Sequence, residues 1–264
     1  MTSTADASKS GKTEWREFKV DLWATDMNDV EIGIMKDTEH RAQSRQFTKD
    51  MEVFGQVVDG GDRKGIFGFR EDIWDKEEAL KKRLVIKLFT EDMNWLGSLD
   101  LMMGRSVQLT LGAGGFPVTA FSINLARHEQ IVQVERSARR WPLQTEAFSF
   151  FLLPPDEPAR FYTLKKKRIS FGGDYTIVSQ TGETIGHLNG KVVNIGGAWK
   201  VKLDPAHANA AMEHTLKLFC SMLRFNSKLR KHVKTQAKHM ANGEIKADLD
   251  YQETELYMNP RRTK

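Results

Sequence analysis

Phe161-Tyr162-Thr163-Leu164-Lys165-Lys166-Lys167-Arg168-Ile169, Tyr175-Thr176-Ile177-Val178, Thr184-Ile185-Gly186-His187-Leu188, Val192-Val193-Asn194-Ile195 and Trp199-Lys200-Val201-Lys202-Leu203 follow one another and end at Asp204-Pro205. Each run is short, rich in β-branched and aromatic residues, and alternates apolar with polar side chains, which is the period of a half-buried strand. Gly172-Gly173-Asp174, Gln180-Thr181-Gly182, Asn189-Gly190 and Gly196-Gly197 separate the runs. Glycine and asparagine supply the positive φ that tight hairpin turns require, so the stretch predicts a meander of hairpins. The rhythm changes at Asp204. An aspartate can cap free amides and a proline fits the first turn of a helix. Ala208, Ala211, Met212, Leu216, Phe219, Met222 and Leu223 then recur at helical spacing. One long helix is expected from Pro205 to about Lys238, apolar on most faces at first, basic from Arg224 onward, and stopped by Asn242-Gly243.

Outward toward the N-terminus the period of two continues. Phe18, Val20 and Leu22 alternate with polar residues, and Val30, Ile32 and Ile34 do the same. Residues 53–58 and Ile66, Phe67 and Phe69 read as a hairpin around Asp59-Gly60-Gly61-Asp62. Residues 84–89, 107–111, 118–123 and 131–134 read as further strands, with short helical stretches expected over 72–83 and 92–103. Three prolines in Pro154-Pro155-Asp156-Glu157-Pro158 favour an extended connector and suggest a domain boundary. The expected division is a disordered lead over 1–13, a β-rich unit over 14–153, hairpins plus the long helix over 159–240, and a polar tail over 241–264 with one short strand at 255–258.

The run Phe161 to Lys167, then Gly172-Gly173-Asp174-Tyr175-Thr176-Ile177, Gly182-Glu183-Thr184 and Leu188-Asn189-Gly190-Lys191-Val192, resembles the repeating hairpin of the LURP-one-related family. That resemblance covers 161–203 directly, and the following helix is compatible with it. It implies the tubby-like fold, a β-barrel wrapped around a hydrophobic helix, to which phospholipid scramblases are distantly related. The usual second hairpin repeat is replaced here by a helix. The fold class expected is therefore mainly β with one long helix in the C-terminal half. The segment before it either completes the barrel or forms a separate small β-barrel domain.

Composition narrows the functions. No apolar run nears the ~18–20 residues that span a bilayer as a helix, and the N-terminus lacks the apolar core of a signal peptide. The lone Cys220 excludes an intrachain disulfide and a cysteine-rich zinc site; its apolar neighbours mark it as a small buried hydrophobe, and a reducing, cytoplasmic setting is expected. The seven histidines show no H-E-x-x-H or comparable spacing. The loops Gly60–Gly65 and Gly112–Gly115 lack a phosphate-cradling pattern and read as turns. No carboxylate pair or G-x-S-x-G surround suggests catalysis, so neither an enzyme nor a metal or cofactor is expected. The net charge of +5 is modest but clustered. Lys165, Lys166, Lys167 and Arg168 on a strand, and Lys228, Arg230, Lys231 and Lys234 on the helix, are candidate phosphate-binding groups. Phe67 and Phe69, beside Arg63, Lys64 and Arg70, are candidate base-stacking residues. The function expected is a non-catalytic module that recognises an anionic phosphate-bearing surface, such as a lipid headgroup, or a protein partner. The alternatives are a single-stranded nucleic-acid-binding β protein and a structural component of a larger particle.

Overall fold

The computed structural model describes residues 14–23, 46–48, 51–138, 145–154, 157–170, 173–191 and 197–245. Twelve antiparallel strands close into one barrel: β1 (Arg16–Leu22), β2 (Met51–Asp59), β3 (Asp62–Arg70), β4 (Val85–Phe89), β5 (Trp95–Leu101), β6 (Ala120–Leu125), β7 (Val132–Arg136), β8 (Ala147–Leu152), β9 (Arg160–Lys166), β10 (Tyr175–Ser179), β11 (Thr184–Lys191) and β12 (Ala198–Leu203). Each strand pairs with its neighbour in sequence, and β12 pairs with β1, Phe18 lying opposite Val201. Closure leaves no edge strand to be protected.

Among the described residues three α-helices join the barrel: α1 (Met103–Gly112), α2 (Ala210–Leu223) and α3 (Asn226–Ala241). Leu218, Phe219, Cys220, Ser221 and Met222 are consecutive and all fully buried, so α2 is covered on every face. Leu218 approaches Gly97 on β5, while Phe219 packs edge-on against Phe148 on β8 and Tyr175 on β10. The helix therefore runs through the barrel with its side chains meeting opposite walls. An eight-stranded barrel is narrow enough to be filled by its own side chains, and diameter grows with strand number. At twelve strands the interior needs a further element, and the apolar helix provides it.

Local chemistry sets the elements. Gly60 and Gly61 both take positive φ in the two-residue turn between Asp59 and Asp62, as expected. Gly186 on β11 lies so close to β12 that a Cβ would sit 2.5 Å from the Lys202 carbonyl oxygen. Gly186→Val is expected to destabilise by about 1–3 kcal/mol through strain, read as a lower urea midpoint with unchanged slope. A midpoint equal to that of the native chain would show that the strands separate freely there.

Several expectations are corrected. Residues 107–111 are helical rather than a strand, because α1 buries Met103, Ser106, Val107 and Thr110 at helical spacing. Its hydroxyls make this burial tolerable. Ser106 Oγ donates to the Met102 carbonyl and accepts from Ala120 N, and Thr110 Oγ1 accepts from Val118 N at 3.0 Å. Conversely, most of the expected helical stretch over 92–103 is β5, whose Gly97, Leu99 and Leu101 point inward. The 72–83 stretch is one helical turn over Asp72–Lys76 followed by turns. Asn189-Gly190 is no hairpin turn: both residues pair within β11, opposite Lys200 and Trp199. The single long helix is two. After Asp204 caps a short 3-10 turn at Pro205–His207, Asn209 caps α2, and the chain bends at Arg224-Phe225. There Phe225 packs among Phe54, Phe69 and Trp74, with centroids 5.3–5.9 Å away, and plugs the barrel end while α3 turns aside.

The proline-rich connector joins β8 to β9, which pair from Ala147–Lys165 to Leu152–Arg160. Strands on both sides of it thus belong to one sheet, where a boundary between units was expected. β8 is a strand beyond those expected from the sequence. The runs at 30–34, 192–195 and 255–258 lie outside the described residues.

Candidate anion-binding surface

Ion pairs occur at both ends of the barrel. At the upper end, where α2 enters, ions are paired. Arg16 bridges Asp59 and Glu213, at 2.5 and 2.8 Å, and Lys217 also reaches Glu213. Hydrogen bonds to Arg16 hold the Asp59 carboxyl below its usual range, and the same bonds raise the Arg16 guanidinium. Two shallow hollows open there, of about 440 and 210 Å³, the first beside Trp15 and Glu213, the second beside Arg160, Tyr162 and His207. The Tyr162 hydroxyl and His207 Nδ1 are already engaged with each other at 3.0 Å.

The lower end is organised by one carboxylate. Glu146, at the start of β8, is 5% exposed. Its Oε1 accepts from Asn226 Nδ2 at 2.7 Å and from the Tyr175 hydroxyl at 3.2 Å; its Oε2 faces Arg136 at 3.5 Å and Arg230 at 3.4 Å. Arg136 also donates to the Pro117 carbonyl, and the Glu146 backbone carbonyl accepts from Lys166 N at 2.8 Å. Burial pushes the Tyr175 hydroxyl up, reinforced by the Glu146 charge, while burial pulls Arg136 down against the same charge. Three separate segments are thereby fastened to one point: the loop before β6, the end of β9, and the first turns of α3.

This hub brings together the two basic clusters read from the sequence. Lys165 and Lys167 are exposed, as is Arg168 beyond the strand, whereas Lys166 is half-buried at the rim. On α3, Leu229, Val233, Gln236 and Ala237 are buried, and α1 packs against the helix. Lys228, Lys231, Lys234 and Lys238 fall on the opposite, exposed face. The helix contains no acidic residue. None of these four lysines has an ion pair among the described residues, and neither do Lys165, Lys167 and Arg168.

Arg230 departs from the expectation. Two positions from Lys228, it projects from another side of the helix and is spent on Glu146, so it serves the fold. Phe67 and Phe69 are corrected outright: at 0% and 3% exposure they line the core, ringed by Phe54 and Phe225, and have no face to offer a base. Lys238 extends the lysine row beyond the residues expected, by the same helical spacing. Glu146 gives no sequence signal.

Among the described residues no three His, Cys, Asp or Glu side chains converge as a metal site would require, and no helix is long and apolar enough to cross a membrane. The Gly-Gly-Asp-aromatic pattern does structural work: Asp174 Oδ1 accepts from Gly190 N at 2.8 Å, Asp174 N donates to Ser170 Oγ, and Tyr175 reaches inward to Glu146. No family model, curated protein or solved structure matches this chain.

Proposed function

We propose that this chain is a non-catalytic binding module of tubby-like, LURP-one-related architecture that docks on an anionic, phosphate-bearing surface through the lower end of its barrel. The carrying observation is the acid-free helix α3, which displays Lys228, Lys231, Lys234 and Lys238 to solvent with no ion pair among the described residues, while the strand bearing Lys165 and Lys167 is tied to the same helix through Glu146. A row of exposed lysines on one acid-free helix face attracts phosphate groups. The barrel wound round an apolar helix supports the family reading. The burial of Phe67 and Phe69 removes the main support for base stacking. A cytoplasmic setting, in keeping with a single buried cysteine, completes the proposal.

The test is the triple charge reversal Lys228→Glu/Lys231→Glu/Lys234→Glu. These side chains stand in water, so stability should stay within ~0.5 kcal/mol of the native chain. Binding to polyphosphate and to phosphatidylserine-containing vesicles should fall by at least about tenfold, and the native chain's affinity should drop steeply between about 50 and about 200 mM salt. A triple variant that binds as the native protein does, or binding indifferent to salt, would overturn the proposal.

A further inference from the structure

We propose that the hollow between the start of β9, the β10–β11 hairpin and the 3-10 turn at Pro205–His207 is a binding site for a neutral sugar, one ring of an oligosaccharide lying against Phe161. The site is at the upper end of the barrel, away from the lysine row, and stands independently of the phosphate-surface reading. Its volume is about 210 Å³. That is below the ~300–1,000 Å³ of pockets for drug-sized ligands and suits a single ring. One wall is aromatic. Tyr162 points into the barrel, so Phe161, next to it on β9, points out. Its ring lies 4.8 Å from that of Phe151, its partner across β8 and β9, and Phe151 is 56% exposed.

The other walls are polar and held in place. Gln180 Oε1 accepts from Phe161 N at 3.2 Å, which fixes the amide beside the ring and leaves its Nε2 as a donor. Ser179 Oγ and Thr181 Oγ1 share one hydrogen bond at 2.7 Å, so one of the two hydroxyl protons remains to be donated. Glu183 is exposed and has no ion pair among the described residues, so its carboxylate is an open acceptor. Arg160 is paired with Glu157 and donates to the Ala206 carbonyl at 3.4 Å, which ties β9 to the 3-10 turn. Open donors and an open acceptor thus surround an apolar ring. A sugar has the matching chemistry: C–H groups on one face that pack against an aromatic ring, and edge hydroxyls that each donate and accept. A phosphate or carboxylate is disfavoured, because the guanidinium is already paired and Glu183 repels an anion. An apolar peptide side chain would cover the Gln180 amide and the Glu183 carboxylate without offering either a partner.

The test uses the full chain and saturation-transfer difference NMR with neutral probes: cellotetraose, maltotetraose, chitotetraose, mannotetraose and galactotetraose. At least one should bind with a dissociation constant of about 1 mM or below, the range of a shallow site for a single ring. Phe161→Ala should weaken that binding by at least about tenfold, and Phe161→Tyr, which keeps the ring, should stay within about threefold. Gln180→Ala and Glu183→Ala lie on the exposed hairpin and should each weaken it about fivefold or more without unfolding the chain. These two variants decide the matter if Phe161→Ala does not fold. Binding should be indifferent to salt and unchanged in the lysine triple variant, which separates this site from the anion-binding surface. Absence of binding by all five probes would overturn the proposal. So would binding that survives both Gln180→Ala and Glu183→Ala, or binding that is lost in the lysine triple variant.

Discussion

Glu146→Ala is expected to destabilise the protein by about 3–5 kcal/mol, the cost of removing one partner from a buried ion pair. The residue left behind is the reason. Arg136 is 3% exposed, and without Glu146 its charge keeps, among the described residues, only the Pro117 carbonyl. The Tyr175 hydroxyl and Asn226 Nδ2 lose their acceptor in the same step. Glu146→Gln retains an acceptor but still strands the guanidinium, so it should fall between alanine and the native chain. Adding Arg136→Met to Glu146→Gln removes the stranded charge and should recover a large part of the loss. Urea unfolding measures all three, and hydrogen exchange should show α3 loosening before the barrel. A Glu146→Ala midpoint equivalent to less than ~0.5 kcal/mol, the range of surface substitutions, would mean that the hub is solvated and that the three segments hold their places without it.

The extent to which sequence disclosed this molecule follows from which signals are local. Alternation is local, so β1, β3, β4, β10 and β12 are legible from runs such as Phe18-x-Val20-x-Leu22. The Gly60-Gly61 turn and the Asp204-Pro205 start are legible because backbone geometry demands those residues. Closure is not local: the pairing of β1 with β12 joins residues nearly the whole described chain apart. The strand reading of 107–111 failed because alternating Val107, Leu109 and Leu111 also fits a helix whose buried face is completed by Ser106 and Thr110. Their hydroxyls are acceptable inside only once the strand they fasten is known. The bend at Phe225 escapes periodicity because the helical residues on either side stay in phase, and the bend is imposed by the aromatic ring of Phe54, Phe69 and Trp74. For the surface, the lysine row is legible from spacing of three and four. The opposite fates of Arg230 and Lys231 depend on Glu146, more than eighty residues away in sequence and adjacent only in the fold.

Phe219→Ala is expected to cost about 3–5 kcal/mol, a large share of the ~5–15 kcal/mol that holds a typical domain folded. Phe219 has no exposed surface and sits near the middle of the barrel, its ring 4.9 Å from Phe148 and 5.6 Å from Tyr175, edge-on to both. Truncation removes the transfer free energy of the ring and leaves a void between a helix and a closed wall. Neither can relax easily, because every strand is tied on both sides. Phe219→Leu keeps most of the volume and should lose only about 1 kcal/mol. The cavity gives a second readout. A dry apolar void takes up small apolar molecules such as benzene or xenon, so benzene should raise the melting temperature of Phe219→Ala and leave the native protein unmoved. A loss below ~0.5 kcal/mol with no response to benzene would show that α2 does not fill the barrel, and the architecture on which the lower-end surface depends would have to be abandoned.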